Sequence, residues 1–190
     1  ASDTIYLPAN IFVPTSDDPN QRFPAVIFIS SWALNEYEYI PQAQILADKG
    51  YVVLSYTTRG FYNSPGAITT AGIEDFSDGS AAIDYLLDSR NGYPVDPDAI
   101  GLAGISYGAG ISLLTGFNDE RVKAIVAMSG WVDLIDSLWA GNTPNYAWIE
   151  LLIFSSQPIP LLASNNPSPE IETNYANMKV HENVAATKEW

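Results

Sequence analysis

Four short apolar runs, each about as long as a β-strand, are the feature of this 190-residue sequence that most restricts its fold. They lie at Ala25–Ile29, Tyr51–Tyr56, Ala99–Ala103 and Val122–Met128, and segments with helical spacing of apolar residues separate them. Continuous apolar runs of this length are typical of strands buried on both faces of a sheet. Strands that alternate with helices predict βαβ units, and therefore an α/β fold with a doubly wound, mostly parallel sheet.

The rest of the chain divides into a core and a cap-like segment. A further strand is predicted at Ile5–Val13. Helices are predicted at Glu36–Lys49 and Ile73–Ser89, and a third begins at Ala109–Thr115. After residue 133 the pattern changes to scattered aromatic residues, prolines and short helical pieces without a convincing parallel strand. We therefore expect residues 1–133 to form the sheet and its helices, and residues 134–190 to form a helical cap lined by apolar side chains.

Charge and cysteine content exclude several function classes. The chain has 8 basic and 22 acidic residues, so its formal net charge is −14. A field of this sign repels phosphate backbones and anionic membrane surfaces, so nucleic acid is not an expected partner. No apolar run is long enough to predict an integral membrane segment. With no cysteine there is no thiolate metal site, and no metal or other cofactor is expected. The compartment stays open, although the composition is compatible with a secreted or periplasmic location.

The segment Gly104–Gly108 has the pattern G-x-S-x-G and places a serine directly after an apolar strand. A helix follows it, and this strand–turn–helix context is the one in which the pattern marks a nucleophilic serine. So sharp a turn strains the serine backbone, and neighbouring side chains two positions away must be absent. Gly104 and Gly108 supply that room, and Ser106 is therefore the predicted nucleophile.

A serine nucleophile needs an oxyanion hole made of two backbone N–H groups. One donor is expected from Tyr107, which follows the serine, and the other from Trp32 in the loop after the strand Ala25–Ile29. The alternative is that Trp32 simply packs over the end of that strand, an arrangement that would still leave its N–H able to serve the oxyanion. Ser31, Trp131 and Trp148 are the candidate residues of the substrate pocket.

The strands, the loop at Trp32 and the G-x-S-x-G turn follow one another between about Ala25 and Leu134 in an order that resembles the α/β-hydrolase superfamily. Within it they are most similar to the Xaa-Pro dipeptidyl-peptidase/cocaine-esterase group and its bacterial lipase and esterase relatives, in which a tyrosine typically follows the serine. The sequence departs from the group at Ser30-Ser31, where His-Gly is frequent, and at Thr57, where aspartate is frequent. Both departures lie beside the expected pocket.

The resemblance also implies a role for the arginine after the second buried strand. In the group this Arg-Gly turn is structural, so Arg59 is expected to tie loops together through charge-assisted hydrogen bonds and not to bind substrate. Asp75 and Asp78, on the helix that follows, are interpreted as residues of a solvated first turn.

The general base and the acid of a catalytic triad are not evident in this chain. In the resembled fold the acid and then the histidine follow further strands, in the order Ser, Asp or Glu, His. The chain has a single histidine, His181, in the cap-like segment. We therefore expect the triad acid and base outside this chain, on a second polypeptide that carries the C-terminal remainder of the hydrolase. The alternative is a self-sufficient chain with Asp133 as the acid and His181 as the base.

Three functions are compatible with these features. The first is a serine hydrolase that cleaves small-molecule carboxylic esters through an acyl-enzyme on Ser106, since apolar cap residues suit an acyl chain. The second is an Xaa-Pro dipeptidyl peptidase that uses the same nucleophile. The third is a non-catalytic, hydrolase-like binding module, which an intact G-x-S-x-G turn disfavours.

Overall fold

Five strands form one mostly parallel sheet in a computed structural model of the chain, which describes residues 4–159 and 164–179. The strands are β1 (Ala9–Phe12), β2 (Phe23–Ile29), β3 (Val52–Tyr56), β4 (Val95–Ile105) and β5 (Val122–Met128). Their order in the sheet is β1-β3-β2-β4-β5. β1 pairs with β3 antiparallel, whereas β3 with β2, β2 with β4 and β4 with β5 are parallel. The predicted α/β fold with a mostly parallel sheet is confirmed.

Helices cover both faces of this sheet, as the doubly wound prediction requires. The first three are α1 (Ile40–Asp48), α2 (Ile73–Leu87) and α3 (Tyr107–Asn118). Because side chains alternate along a strand, Phe28 faces α1 with Ala43, while Ile27 and Ile29 join the larger core with residues of α2 and α3. After β5 come α4 (Leu134–Leu138), a 3-10 helix (Ala140–Asn142), α5 (Tyr146–Ser156) and α6 (Pro169–Lys179).

The element bounds differ from the sequence predictions where prolines and turns intervene. The first strand is shorter than the predicted Ile5–Val13, because Pro8 has no N–H to contribute to a ladder. Helix α1 begins at Ile40 and not at residue 36, because residues 36–39 form turns and Pro41 occupies the first helical turn. Helix α3 begins two residues before Ala109, immediately after Ser106.

The buried stripe of helix α2 is partly polar, which corrects the interpretation of Asp75 and Asp78 as solvated. Their exposed fractions are 2% and 8%, while Ile73, predicted to be buried, is 70% exposed. The two aspartates lie three residues apart on the same face as Ile83 and Leu86, which belong to the main core. Both aspartates therefore belong to the buried face of α2.

Strand β5 lies at one edge of the sheet and is poorly covered. It pairs with β4 and packs against α3, and no other strand among residues 4–159 and 164–179 pairs with it. Val126 is 56% exposed and Met128 45% exposed, although both belong to an apolar run. The division into a core and a cap near residue 133 stays a prediction, and helices alone follow β5 in the described part of the chain.

Candidate active site

Ser106 alone forms the turn between strand β4 and helix α3, in a strained backbone conformation. β4 ends at Ile105 and α3 begins at Tyr107. The serine has φ 54° and ψ −115°, a conformation that residues other than glycine rarely adopt. Its N–H donates to the Met128 carbonyl at 2.9 Å, and its carbonyl accepts the Gly110 N–H at 3.1 Å. These bonds hold the strained turn in place, and Ser106 itself is exposed.

The two glycines of the turn are required by close backbone packing. A Cβ atom at Gly104 would lie 2.5 Å from the carbonyl carbon of Gly108. A Cβ atom at Gly108 would lie 2.0 Å from the carbonyl oxygen of Ile29, at the end of β2. Real Cβ atoms do not approach backbone atoms so closely. Glycine at position 104 therefore lets the turn close on itself, and glycine at position 108 lets it pack against β2.

The structure brings together the two segments that carry the predicted oxyanion donors. Trp32 lies in a turn after β2, and Tyr107 opens α3, where the first N–H groups have no partner within the helix. Neither backbone N–H donates a hydrogen bond to any residue in 4–159 or 164–179. The two side-chain rings pack edge to face, with centroids 5.0 Å apart. Both amides are thus available for a ligand, and their role as oxyanion donors stays a prediction.

The indole ring of Trp32 connects the active-site loop to the cap-like segment. Its Nε1–H lies 3.0 Å from the Leu152 carbonyl and 3.0 Å from the Ser155 hydroxyl, both on α5. The ring also packs edge to face against Phe61, with centroids 5.0 Å apart. The Trp32 ring therefore packs against Phe61, Tyr107 and α5, while its backbone N–H has no hydrogen-bond partner among residues 4–159 and 164–179.

A small cavity of about 40 Å³ lies beside Ser106 and is lined mainly by apolar side chains. Its walls include Trp32, Tyr107 and Trp131, the loop residue Thr70, and five aliphatic residues of the helices after β5: Leu134, Leu138, Leu152, Ile153 and Ile171. A site that buries an organic ligand usually has several hundred Å³. The cavity beside Ser106 is therefore smaller than a site that usually buries an organic ligand.

The three predicted pocket residues have different places in the structure. Trp131 lines the cavity, and its ring lies 6.3 Å from that of Tyr107. Ser31 is 7% exposed and donates its hydroxyl hydrogen toward Glu38 and Ile105, so it belongs to the loop framework around the site. Trp148 lies on α5 with 56% of its surface exposed, and it is not among the residues that line the cavity.

Arg59 and Asp78 form a buried ion pair behind the site. The Arg59 Nε and Nη2 groups donate to the two Asp78 carboxylate oxygens at 2.7 Å and 2.6 Å. Arg59 is 4% exposed, and such bidentate pairs fix both partners in orientation. The expectation that Arg59 ties structural segments together is confirmed, and its partner is one of the aspartates that the sequence interpretation placed in solvent.

Asp75 holds the loop that contributes Thr70 to the cavity wall. Its Oδ2 accepts hydrogen bonds from the Thr69 hydroxyl at 2.7 Å and the Gly72 N–H at 3.1 Å. Between them, Thr70 and Ala71 have φ values of 54° and 62°, which are unfavourable for residues with a side chain. Burial raises the pKa of Asp75 to about 6, although the hydrogen bonds from Thr69 and Tyr107 act in the opposite direction.

The phenol of Tyr107 binds the same strained loop from the other side. Its hydroxyl oxygen accepts the Ala71 N–H at 2.8 Å. Burial raises the pKa of the Tyr107 phenol well above its ordinary value, and the nearby Asp75 carboxylate acts in the same direction. Tyr107 thus links the turn at Ser106 to the loop Thr69–Gly72. The spacing of Asp75 and Asp78, three residues apart on a helix that also carries apolar residues, is the feature of the sequence that could have predicted these buried hydrogen bonds.

The triad acid and base are not assembled among the described residues. The Asp133 carboxylate accepts the Asp136 N–H at 2.9 Å and so caps the N-terminus of α4. His181, the predicted base of a self-sufficient chain, lies outside the described residues. Both assignments of the triad acid and base, to Asp133 and His181 of this chain or to a second polypeptide, stay predictions.

The described part of the chain contains neither a metal-binding cluster nor a membrane-spanning helix. Nowhere in residues 4–159 and 164–179 do three His, Asp or Glu side chains cluster in a way that could hold a metal ion. In the same ranges, no helix has the length and apolar character needed to cross a lipid bilayer.

Comparison with solved structures identifies the fold. The acylaminoacyl peptidase of Pyrococcus horikoshii has a TM-score of 0.58 and 24% identity, over 73% of this chain and 23% of that one. A thermophilic esterase of Thermogutta terrifontis with bound butyrate has a TM-score of 0.56 and 20% identity, over 78% of this chain and 58% of that one. Similarity at this level of identity shows that the α/β-hydrolase fold is shared.

Comparison with sequences identifies the family. The chain is 27% identical to the uncharacterized protein YcjY of Escherichia coli (strain K12) in an alignment that covers 88% of this chain. It is 30% identical over 138 residues to the mitochondrial acyl-coenzyme A thioesterase 2 of Mus musculus, covering 73% of this chain. The chain spans 60% and 27% of the lengths of these two relatives. The profile of X-Pro dipeptidyl-peptidases (S15 family) matches residues 3–186, and the chain therefore belongs to this family of serine hydrolases.

Proposed function

We propose that this chain carries the nucleophile of a hydrolase that cleaves carboxylic esters through an acyl-enzyme on Ser106. The observation that supports this most is the backbone of Ser106, with φ 54° and ψ −115° between β4 and α3. Strain of this kind persists where the surrounding structure fixes it, and it exposes the serine hydroxyl at the end of the sheet. The backbone N–H groups of Trp32 and Tyr107, which have no partner among residues 4–159 and 164–179, are the proposed pair of donors for a developing oxyanion.

The proposed reaction has two steps. The Ser106 oxygen attacks the acyl carbon while a general base takes its proton, and the carbonyl oxygen becomes an oxyanion held by the Trp32 and Tyr107 N–H groups. The ester C–O bond then breaks, and the leaving alkoxide receives that proton from the base. Water, deprotonated by the same base, hydrolyses the acyl-enzyme, so that one carboxylic acid and one alcohol leave and Ser106 is restored.

The base and its orienting acid are proposed to lie on a second polypeptide that carries the C-terminal remainder of the hydrolase. The support is the edge of β5, which no other strand pairs with among residues 4–159 and 164–179 and where Val126 and Met128 expose apolar surface. Further strands added at this edge would cover it and bring an aspartate and a histidine toward Ser106. The alternative, with Asp133 and His181, requires Asp133 to give up its cap of α4 or to serve both purposes.

Variants of the whole protein test the nucleophile and the base separately. Ser106→Ala is expected to lower kcat on a nitrophenyl ester by about 10⁴-fold or more, while the circular dichroism spectrum stays unchanged. His181→Ala is expected to leave kcat nearly unchanged, and intact-mass analysis of the active sample is expected to show a second chain. Full activity of Ser106→Ala excludes the proposed nucleophile. Loss of activity in His181→Ala with a single mass supports the self-sufficient chain instead.

An Xaa-Pro dipeptidyl peptidase is the second candidate, because the matching profile is that of X-Pro dipeptidyl-peptidases. It would use the same nucleophile and additionally a carboxylate for the amino group of the substrate. An Xaa-Pro nitroanilide, a nitrophenyl ester and an acyl-coenzyme A thioester, assayed side by side, separate this candidate from the esterase and from a thioesterase. A higher kcat/KM on the nitroanilide than on the ester overturns the esterase assignment.

A further inference from the structure

The loop that carries Trp32 is joined to the Ser106 turn by a cluster of three polar side chains: Ser31, Glu38 and Tyr39. The Glu38 carboxylate accepts the Ser31 N–H at 2.7 Å and the Ser31 hydroxyl at 2.7 Å. The same hydroxyl lies 3.0 Å from the carbonyl oxygen of Ile105, the residue immediately before Ser106. One carboxylate therefore fixes both the backbone and the side chain of the residue that connects the two segments.

Tyr39 binds the other polar group of the same peptide unit. Its hydroxyl oxygen accepts the Ile105 N–H at 3.0 Å, and its ring stacks on Phe28 with centroids 4.5 Å apart. The residue is 2% exposed, and burial raises the pKa of its phenol to about 12, so the hydroxyl keeps its proton at any ordinary pH. Both backbone groups of Ile105 thus face side chains from residues 31–39.

The turn at Trp32 explains why this cluster matters for the amide. The Leu34 N–H donates to the Ser31 carbonyl at 3.0 Å, and Ala33 has φ 58°, so residues 31–34 form a tight turn. In such a turn the N–H of the second residue, here Trp32, is not used by the turn itself. The orientation of that N–H then depends on how Ser31 is held, and Ser31 is held by Glu38.

We infer that Glu38 is a positioning residue of the oxyanion hole, which sets the separation between the Trp32 amide and the Ser106 turn by clamping Ser31. The inference rests on the proposed function, because it requires the Trp32 N–H to bind the oxyanion. Glu38 does not touch the reacting atoms; it acts through Ser31 on a donor that matters most in the transition state. Its loss should therefore lower kcat and leave KM nearly unchanged.

Glu36 offers a matched control two residues away. The Glu36 carboxylate accepts the hydrogen of the Thr57 hydroxyl. Glu36→Ala therefore removes a carboxylate from the same loop and leaves the contacts between Glu38 and Ser31 in place. For Glu38→Ala we expect kcat to fall about 10- to 100-fold, less than the loss of a whole oxyanion donor. The inhibition constant of a trifluoromethyl ketone, which forms an oxyanion on the serine, should rise by the same factor. Glu36→Ala should change both values less than about threefold.

Two further variants keep the test decisive if Glu38→Ala fails to fold. Glu38→Gln retains an acceptor for the Ser31 N–H and should recover most of kcat, while Ser31→Ala removes the bridge to Ile105 and should lower kcat at unchanged KM. Equal losses in Glu38→Ala and Glu36→Ala, or a normal kcat in Ser31→Ala, overturn the inference while the nucleophile assignment stands. If Ser106→Ala in the same assay is fully active, the proposed function itself fails, and the inference fails with it.

Discussion

Strand β3 lies inside the sheet and strand β5 lies at its edge, and the two differ in burial although both are apolar in sequence. All five residues of β3 are buried, because β1 and β2 pair with it on either side and helices cover the two faces. Among residues 4–159 and 164–179, β5 pairs with β4 alone, and Val126 and Met128 are 56% and 45% exposed. The comparison shows that an apolar run indicates a strand, whereas its neighbours determine how much hydrophobic stabilisation the strand contributes.

The largest difference between the two strands is expected for truncation of large aliphatic side chains. Leu54→Ala in β3 should lower the free energy of unfolding by about 2–5 kcal/mol, because Leu54 is 2% exposed and its removal leaves a cavity. Met128→Ala in β5 should lower it by less than about 1 kcal/mol, since Met128 is 45% exposed. Denaturation in urea measures both. Equal losses would mean that β5 is covered in solution, as a second polypeptide would cover it.

The buried carboxylate near the interior strands should make stability fall as pH rises. Burial raises the pKa of Asp75 in the folded chain to about 6 from an ordinary 3.8, so its contribution is greatest below pH 3.8 and is lost as pH rises through 6. The full difference is up to about 3 kcal/mol. Relative to the wild type, Asp75→Asn should therefore gain stability between pH 4 and pH 7.

Unfolding free energies of the two proteins across this pH range provide the measurement for Asp75. The other ionisable side chains around Asp75 are present in both proteins: Asp78, Arg59, Tyr107 and Tyr56. The difference in unfolding free energy between the two proteins therefore reports the carboxyl group of Asp75. A difference that does not vary with pH would show that Asp75 is ionised normally.

The carboxylate at the approach to β5 should have the opposite pH dependence and a smaller effect. Hydrogen bonds from Arg121 lower the pKa of Asp119 to about 2, so its contribution is present above pH 3.8 and is lost as pH falls through 2. The partly exposed Arg121 limits this contribution to about 1–2 kcal/mol. Asp119→Asn should destabilise the chain at pH 6 and much less at pH 2. Equal destabilisation at both values would contradict an ionic origin.

The smallest effect on stability, and the most informative for assembly, is expected for a charge on the edge strand. Val126→Lys should change the free energy of unfolding of the chain by less than about 0.5 kcal/mol, because the side chain is exposed. A lysine on an open strand edge opposes pairing with another chain. Sedimentation velocity should therefore show weaker assembly than in the wild type, with a lysine at exposed Val132, outside the sheet, as the control. Unchanged assembly would exclude this edge as the interface.

Much of the fold could be predicted because local patterns carry it. The run Val122–Met128 matches β5 residue for residue, and the segment Gly104–Gly108 marks the turn between a strand and a helix. The predictions of burial were wrong where the position of a side chain in the fold, and not its polarity, determines whether it is exposed. The sequence predicts Asp75 in a solvated first turn of the helix, and aspartate is usually exposed. In the fold, Thr69 and Gly72 satisfy one of its oxygens, and burial becomes tolerable.

The sequence by itself determined the alternation of strands and helices, from which a mostly parallel sheet follows, and the position of Ser106 in its turn, because these depend on residue patterns within one strand, one turn or one helix. Only the tertiary structure decided that β5 is the edge, that Arg59 pairs with Asp78, and that Ser31 bridges Glu38 to Ile105. The bond between Ser31 and Ile105 joins residues 74 positions apart. No local pattern specifies such a contact, because it exists only once two parallel strands have placed their carboxyl ends side by side.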